Sequence, residues 1–208
     1  MKTLSRWYEA HVFPHLLEVT DRALREDRHQ LLHQATGDVL EIGIGSGNSL
    51  PWYGTAVNRL VGLEPSADLL SHCREKLAEQ VPPFPVELVQ AGAEDLPFPE
   101  NHFDTVVAFL VFCTIPEPER AARELRRVLK PGGRVLVFEH VRSERPGVAR
   151  WQTRVDPVWK HLACGCHLDR DTANVFARAG FDTSRLTHWR HPRIPLPLLA
   201  PVISGSLT

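Results

Sequence analysis

The fold is decided by Val39-Leu40-Glu41-Ile42-Gly43-Ile44-Gly45-Ser46-Gly47-Asn48, where a glycine-rich turn directly follows a short apolar run. A second apolar run, residues 59–63, ends at Glu64. An acid about 20 residues after such a turn accepts hydrogen bonds from ribose hydroxyls in nucleotide-binding sheets. A glycine triplet alone also fits a simple strand-to-helix turn. Together, the turn and the acid predict a site for a nucleotide-like ligand.

Outward from this stretch, short apolar runs alternate with amphipathic helical stretches, which is typical of βαβ units and a parallel sheet. We therefore expect an α/β fold, a Rossmann-like doubly wound sheet that is mostly parallel and has seven strands, preceded by an N-terminal helical extension. Strands are predicted at 38–42, 59–64, 85–89, 103–110, 133–140 and 183–190. Helices are predicted at 5–35, 66–80, 118–129 and 169–180. Residues 142–168 are expected to form a long connection, and a Pro-rich tail ends the chain.

The length of 208 residues and a hydrophobic content of 43% fit one domain spanning 1–208. Within it we expect a helical lid at 1–36, a cofactor-binding half at 37–140 and an acceptor-binding half at 141–208. The charge is nearly balanced, with 24 Lys+Arg against 25 Asp+Glu, and no basic stripe is present. Nucleic acid is therefore not an expected partner.

The longest apolar run, residues 106–113, is too short to cross a bilayer, and residues 1–20 do not resemble a signal peptide. The number and spacing of the 4 cysteines do not resemble a disulfide framework. We therefore expect a cytoplasmic protein without stable membrane insertion. The oligomeric state is not readable from the sequence.

The spacing of the turn indicates which ligand it binds. A dinucleotide fingerprint reads G-x-G-x-x-G and places a pyrophosphate on a helix N-terminus. Here the glycines fall at 43, 45 and 47, so the third comes one position early. Glu41 would repel a pyrophosphate but suits an ammonium group. S-adenosylmethionine carries an ammonium group and no phosphate, so it is the expected cofactor.

At these residues the chain resembles the class I S-adenosylmethionine-dependent methyltransferases, over most of residues 38–140. Further matches are Gln90-Ala91-Gly92-Ala93-Glu94-Asp95-Leu96-Pro97-Phe98, Phe103-Asp104-Thr105-Val106-Val107 and Leu129-Lys130-Pro131-Gly132-Gly133. The resemblance implies that the methionine part is held by Glu41, Gly43, Gly45 and Gly47, and the ribose by Glu64. Many relatives have Asp at the position of Gly92, so we assign the adenine contact to Ala93 and Glu94. Further cofactor contacts are expected at Asn48, Pro65, Ser66 and Phe109, although Asn48 and Ser66 could instead cap the helices that follow them.

A narrower resemblance extends beyond the cofactor half, in Leu110-Val111-Phe112-Cys113, Phe138-Glu139-His140-Val141 and Pro157-Val158-Trp159-Lys160-His161 followed by Gly165-Cys166. These stretches are similar to the thiol methyltransferases called methyltransferase-like seven and to bacterial relatives described as phospholipid or quinone-type methyltransferases. A small-molecule acceptor is implied, with a thiol, a phenol or quinone, and a lipid amine as the open alternatives.

His140 is the candidate catalytic residue, because it ends a predicted strand at the edge where open α/β sheets bind their ligands. A histidine suits a thiol or phenol acceptor. Alternatively, His140 only hydrogen-bonds a loop carbonyl. His161 and His167 are the next candidates for the catalytic residue. We expect no metal, since Cys164 and Cys166 lack the usual zinc spacing, and we interpret Cys113 as a small buried hydrophobe. Trp151 and Trp159, eight residues apart, are expected to pack in the core as one buried helical face, with stacking on a flat acceptor as the alternative.

Two other classes of function remain open at this point. An NAD-dependent oxidoreductase would share the strand, the glycine turn and the distant acid. A non-catalytic S-adenosylmethionine-binding module would bind the cofactor without turnover.

Overall fold

The computed structural model describes residues 22–208. Its strands are β1 (Gly37–Ile42), β2 (Val57–Leu63), β3 (Val86–Val89), β4 (Phe103–Phe109), β5 (Leu129–His140), β6 (Leu186–Arg190) and β7 (Pro201–Leu207). Its α-helices are α1 (Arg25–Leu32), α2 (Ala67–Glu79), α3 (Pro118–Val128), α4 (Pro146–Leu162) and α5 (Thr172–Arg178).

The seven strands of the described residues form one sheet in the order β3-β2-β1-β4-β5-β7-β6. The first five strands pair in parallel, whereas β7 lies antiparallel between β5 and β6. The predicted fold class, a mostly parallel seven-stranded Rossmann-like sheet, is confirmed. Because the sheet order reverses at β1 and β4, their carboxyl ends open the crevice where such sheets bind ligands.

Apolar side chains cover both faces of the central strands, as the continuous apolar runs predict for a parallel sheet. Along β4, Val106 and Ala108 pack into one buried cluster, and Val107 and Phe109 pack into the other. Helix α3 covers the first cluster with a buried stripe, since the other side of this helix is charged. Helix α1 contributes Leu31 and Leu32 to the second cluster.

The connection from β1 to β2 differs from the expected βαβ unit. It contains a short 3-10 turn, Leu50–Trp52, in place of an α-helix. The expectation that Asn48 caps a following helix is therefore wrong. The corresponding expectation for Ser66 is correct, because its hydroxyl accepts a hydrogen bond from the Leu69 amide at the start of α2.

The region 142–168, expected to be a connection, is mostly helix α4. This helix buries the polar side chains of Gln152 and Asp156 and exposes the apolar side chains of Trp151 and Val158. Because this is the reverse of the usual amphipathic pattern, hydrophobic periodicity does not predict the helix. The expectation that Trp151 packs in the core is wrong, and Trp159 is only half-buried.

Both ends of the chain also differ from expectation. The tail contains β7, where Val202 and Ile203 are buried on opposite faces of the sheet. The helix predicted at 5–35 lies largely outside the described residues, and within them it is α1. Among residues 22–208, no helix combines the length and hydrophobicity needed to span a bilayer.

Gly47 offers a test of how closely α2 packs on the glycine turn. A Cβ at this position would lie 2.8 Å from Cys73 Sγ, and φ is +81°. We predict that Gly47→Ala destabilises the protein by about 1–3 kcal/mol through overpacking and backbone strain. Gly147→Ala is the matched control, because a Cβ there meets no described atom within 4 Å and the residue lies in α4. Urea denaturation of both variants measures the difference, and equal stabilities would contradict close packing at Gly47.

Candidate functional site

The glycine turn is fixed to the carboxyl end of the neighbouring strand. The amides of Gly43 and Ile44 both donate to the Leu63 carbonyl, at 2.7 and 3.1 Å. Gly43, Gly45 and Gly47 all have positive φ, between 57° and 81°, a conformation that disfavours other residues. The sequence thus places a rigid bend at the sheet edge.

The three glycines have different surroundings. A Cβ at Gly43 would collide with Val111, and one at Gly47 with Cys73, so these two glycines allow close packing within the protein. At Gly45 the nearest atom to such a Cβ is the Gly43 carbonyl oxygen, at 4.0 Å. Gly45 is therefore the member of the turn that leaves room for a ligand.

Glu64 lies directly after β2 and links this turn to the start of α2. Its carboxylate accepts hydrogen bonds from the Gly45 amide at 3.2 Å and the Ser66 amide at 3.0 Å. Burial raises the pKa of Glu64, and the two amide bonds oppose this effect. A carboxylate has about four acceptor positions, so it can also accept from a pair of hydroxyls.

Glu41 lies in a buried polar cluster. Tyr53 donates its hydroxyl proton to the Glu41 carboxylate at 2.9 Å, and Arg28 donates to the neighbouring Ser49. Burial raises the pKa of Glu41, although Ser49, Arg28 and Tyr53 act in the opposite direction. Neither Tyr53 nor Arg28 was predicted from the sequence, because no spacing rule connects them to the turn.

Other predicted cofactor residues differ in what they contact. Asn48 accepts a hydrogen bond from Lys76 of α2. Phe109 stacks on Phe138 with ring centroids 4.9 Å apart, and the Arg28 guanidinium lies 4.2 Å above its ring. Pro65 is exposed, and its carbonyl accepts a hydrogen bond from the Gln90 side chain.

In the turn after β3, the Glu94 side chain occupies the space beside Gly92. Glu94 Oε2 lies 2.7 Å from where a Cβ of residue 92 would be. A side chain at 92 and the present position of Glu94 therefore exclude one another. The adjacent Ala93 is buried in the core.

His140, the predicted catalytic residue, ends β5 and is 5% exposed. Its Nε2 lies 2.9 Å from Cys166 Sγ. The Cys113 thiol completes the cluster, since the two Sγ atoms and a ring nitrogen of His140 all lie within 4.8 Å of one another. His140 thus contacts a thiol rather than the loop carbonyl of the alternative interpretation.

Three parts of the chain bring these side chains together. Leu110, after β4, has a φ of 54°, which is strained for a leucine and turns the chain toward Cys113. The His167 amide donates to the Cys113 carbonyl at 2.9 Å and so holds Cys166 beside it. Asp156 of α4 anchors the same segment by accepting from the Leu168 amide at 2.7 Å.

The cluster is polarised. The pKa of Cys166 is lowered, first by a hydrogen bond from Cys113 and then by the positive charge of His140. Burial alone would lower the pKa of His140, but the charge of Cys166 and the hydrogen bond to it raise the pKa overall. The pair therefore favours a thiolate beside an imidazolium.

The sequence singles out His140 but does not connect it with Cys113 or Cys166. Cys113 is buried as expected, yet its thiol takes part in the cluster rather than only filling space. Cys164 is exposed, and His161 is exposed as well. The signal that could have found the cluster is that Cys113 and His140 both follow ends of neighbouring parallel strands, which meet at one edge.

Known proteins share this arrangement of sequence and fold. Residues 40–137 match the family described as a methyltransferase domain. Thiol S-methyltransferase TMT1B of Homo sapiens is 30% identical over 93% of this chain and 84% of its own. Phosphatidylethanolamine N-methyltransferase of Cereibacter sphaeroides is 40% identical, over 54% of this chain and 55% of its own. A solved S-adenosylmethionine-dependent methyltransferase of Mesorhizobium loti has a TM-score of 0.66 at 19% identity, over 91% of this chain and 99% of its own, which shows the common fold.

The chain belongs to the S-adenosylmethionine-dependent methyltransferases. This methyltransferase is therefore an enzyme that uses S-adenosylmethionine as its methyl donor and a small molecule as its acceptor.

The site of this methyltransferase fits that donor better than a dinucleotide. A pyrophosphate needs the amide groups and dipole of a helix N-terminus, and the glycine turn here leads into a three-residue 3-10 turn. The open space at Gly45 and the carboxylates of Glu41 and Glu64 suit a ligand without phosphate.

Glu41 gives the methyltransferase a specific dependence of stability on pH. Because burial raises the pKa of Glu41 in the folded state, its contribution to stability is lost as the pH rises above about 4.5 through the folded pKa. We predict that Glu41→Gln removes this decline. Urea unfolding measured across this pH range checks the prediction. Glu87→Gln, at an exposed position of β3, is the control and should leave the profile parallel to wild type. A Glu41→Gln profile that also ran parallel would contradict it.

Proposed function

We propose that this methyltransferase methylates the sulfur of a small thiol at the carboxyl edge of β4 and β5. The observation that carries the proposal is the contact of 2.9 Å between His140 Nε2 and Cys166 Sγ. At this site the protein places a sulfur atom beside an imidazole, and the hydrogen bond from Cys113 and the charge of His140 lower the pKa of Cys166 and so favour its thiolate. An acceptor thiol has the same chemistry.

The cofactor is proposed to bind in the crevice at the carboxyl ends of β1 and β4 and to extend past the end of β2. Glu64 accepts hydrogen bonds from the ribose while its bonds to Gly45 and Ser66 hold it in place. Glu94, in the space above Gly92, and the Ala93 backbone receive the adenine. The remaining proposed contacts lie around the glycine turn and the end of β4, at Glu41, Gly43, Gly47, Asn48, Pro65 and Phe109.

His140 is the proposed catalytic residue and acts together with Cys166. The imidazolium of the pair stabilises the acceptor as a thiolate, and the proton of the acceptor thiol leaves to solvent. A free thiol has a pKa of about 8.5, so modest stabilisation produces thiolate at neutral pH, whereas an alcohol would need far more. Bound S-adenosylmethionine supplies a methyl group on a sulfonium, which transfers to a nucleophile in line.

The relatives named above act on a thiol and on a phosphatidylethanolamine, so the acceptor class is open to test. We place the cofactor in residues 37–140 and the acceptor in 141–208, with Cys113 added to the acceptor side. The lid assigned to 1–36 includes α1, whose Arg28 lies over Phe109. A single domain in the cytoplasm is the arrangement we propose.

Cofactor binding tests the role of Glu64. Because hydrogen bonds to a charged group contribute about 1.5–3 kcal/mol, Glu64→Gln should weaken binding of S-adenosylhomocysteine by about 10- to 100-fold. Isothermal titration calorimetry measures the affinity. Glu87→Gln, which changes the same functional groups on β3, should bind as wild type does. Unchanged affinity in Glu64→Gln would place the ribose elsewhere.

Acceptor choice and His140 are tested together by radiolabelled methyl transfer to alkyl thiols, phenols or quinones, and lipid amines. We predict turnover with thiols. His140→Gln should lower kcat by about 10²–10³-fold, because the imidazolium that stabilises the acceptor thiolate is lost, while S-adenosylhomocysteine binds unchanged. His161→Gln, an exposed histidine, is the matched control. Turnover of only phenols, quinones or lipid amines would exclude the thiol proposal, and cofactor binding without any turnover would indicate a non-catalytic module.

A further inference from the structure

We propose that Cys113, His140 and Cys166 form a binding site for one Zn²⁺ ion, with a fourth position open to a ligand. That the ion binds is independent of the proposed function. The role given below to the ion in methyl transfer rests on that function.

The donor atoms already have nearly the spacing that zinc needs. Zinc binds thiolate sulfur at about 2.3 Å and imidazole nitrogen at about 2.0–2.1 Å, so tetrahedral donors lie about 3.5–3.8 Å apart. The two sulfur atoms and the ring nitrogen lie within 4.8 Å of one another, and His140 Nε2 lies 2.9 Å from Cys166 Sγ. Side-chain shifts of about 1 Å would place all three donor atoms around one ion.

The donor set is selective. Two thiolates and an imidazole are soft ligands that favour zinc over magnesium or calcium. A second group, Asp156, His167 and Asp169, has similar spacing but is already engaged. Both Asp156 oxygens accept hydrogen bonds, from His167 and the Leu168 amide, and Asp169 faces Arg142.

The three ligands are held by separate, fixed parts of the structure. His140 ends β5, Cys113 follows β4, and Cys166 is tied to Cys113 by the His167 amide. Cys113 and His140 are buried, whereas Cys166 is only partly buried. An ion here would be enclosed on one side and approachable from the side of Cys166. Three protein ligands with one open position is the arrangement found in catalytic zinc sites.

An acceptor thiol would occupy the fourth position. Its sulfur forms a bond to the ion and its proton leaves to solvent, because metal coordination deprotonates a thiol. The sulfur then takes the methyl group, the sulfonium of the donor becomes a neutral thioether, and the methylated product, also a neutral thioether, binds the ion weakly and departs. In this form His140 is a neutral ligand of the ion, and coordination to the ion would stabilise the acceptor thiolate in place of the imidazolium.

Metal binding by the purified, reduced chain of 208 residues tests the site directly. The chain is stripped with a chelator and titrated with Co²⁺ and with Zn²⁺ against a chromophoric chelator. We expect one ion per chain, a thiolate-to-cobalt charge-transfer band, and a melting temperature raised by Zn²⁺. Cys113→Ser and Cys166→Ser should each weaken zinc binding by about 100-fold. Cys164→Ser, an exposed cysteine two residues from Cys166, should bind as wild type does.

Folding of each variant is checked by the rise in melting temperature with S-adenosylhomocysteine, and Cys166→Ser serves alone if Cys113→Ser does not fold. Absence of the charge-transfer band, or equal zinc affinity in wild type and the folded cluster variants, would overturn the site. Full thiol methylation by metal-free protein would overturn the role of the ion. Zinc bound by the cluster in a protein that methylates no thiol would support the site and reject the proposed acceptor.

Discussion

Parallel pairing of β1 with β4 is the constraint on which the site depends. Leu40 lies opposite Val106 and Ile42 opposite Ala108, so both strands end at the same edge. In the strand order, β2 and β3 lie on one side of β1 and β4 lies on the other. The connections that follow β1 and β4 therefore diverge, which leaves a crevice between the ends of the two strands. The glycine turn forms one wall of this crevice, and the strained Leu110 begins the other. Collision of a Cβ at Gly43 with Val111 shows how closely the two walls approach.

Buried polar side chains hold the acceptor side of this crevice in place. Gln152 of α4 donates to the carbonyls of Val141 and Leu198 and accepts from the Ser143 amide. One turn later, Asp156 fixes the segment that carries Cys166. These groups satisfy backbone polar atoms that would otherwise be buried without partners, a cost of about 1–3 kcal/mol each. The helix therefore positions the site through its polar face instead of an apolar one.

Sequence patterns were informative where hydrophobic burial determines structure. The alternation of apolar runs and helical stretches predicts the sheet. The position of Glu64 at the end of the second apolar run predicts that its carboxylate lies beside the glycine turn, where it accepts from the Gly45 amide. The pattern failed at α4, because its buried face carries Gln152 and Asp156 and its exposed face carries Trp151. It also failed at β7, where the prolines of the tail obscured a strand that pairs with β5 from a distant part of the chain. Long-range hydrogen bonding decides both elements, and a local window does not contain it.

The same distinction explains which parts of the site were predictable. The glycine turn and its acid are local in the chain, so their spacing carries the information. The thiol cluster joins residues that follow β4, end β5 and follow α4, and no spacing along the chain connects them. Its members become neighbours only because β4 and β5 pair in parallel and α4 returns the chain across their ends. A short sequence motif therefore specifies the residues on the donor side of the crevice. The topology of the whole sheet specifies which side chains meet on the acceptor side.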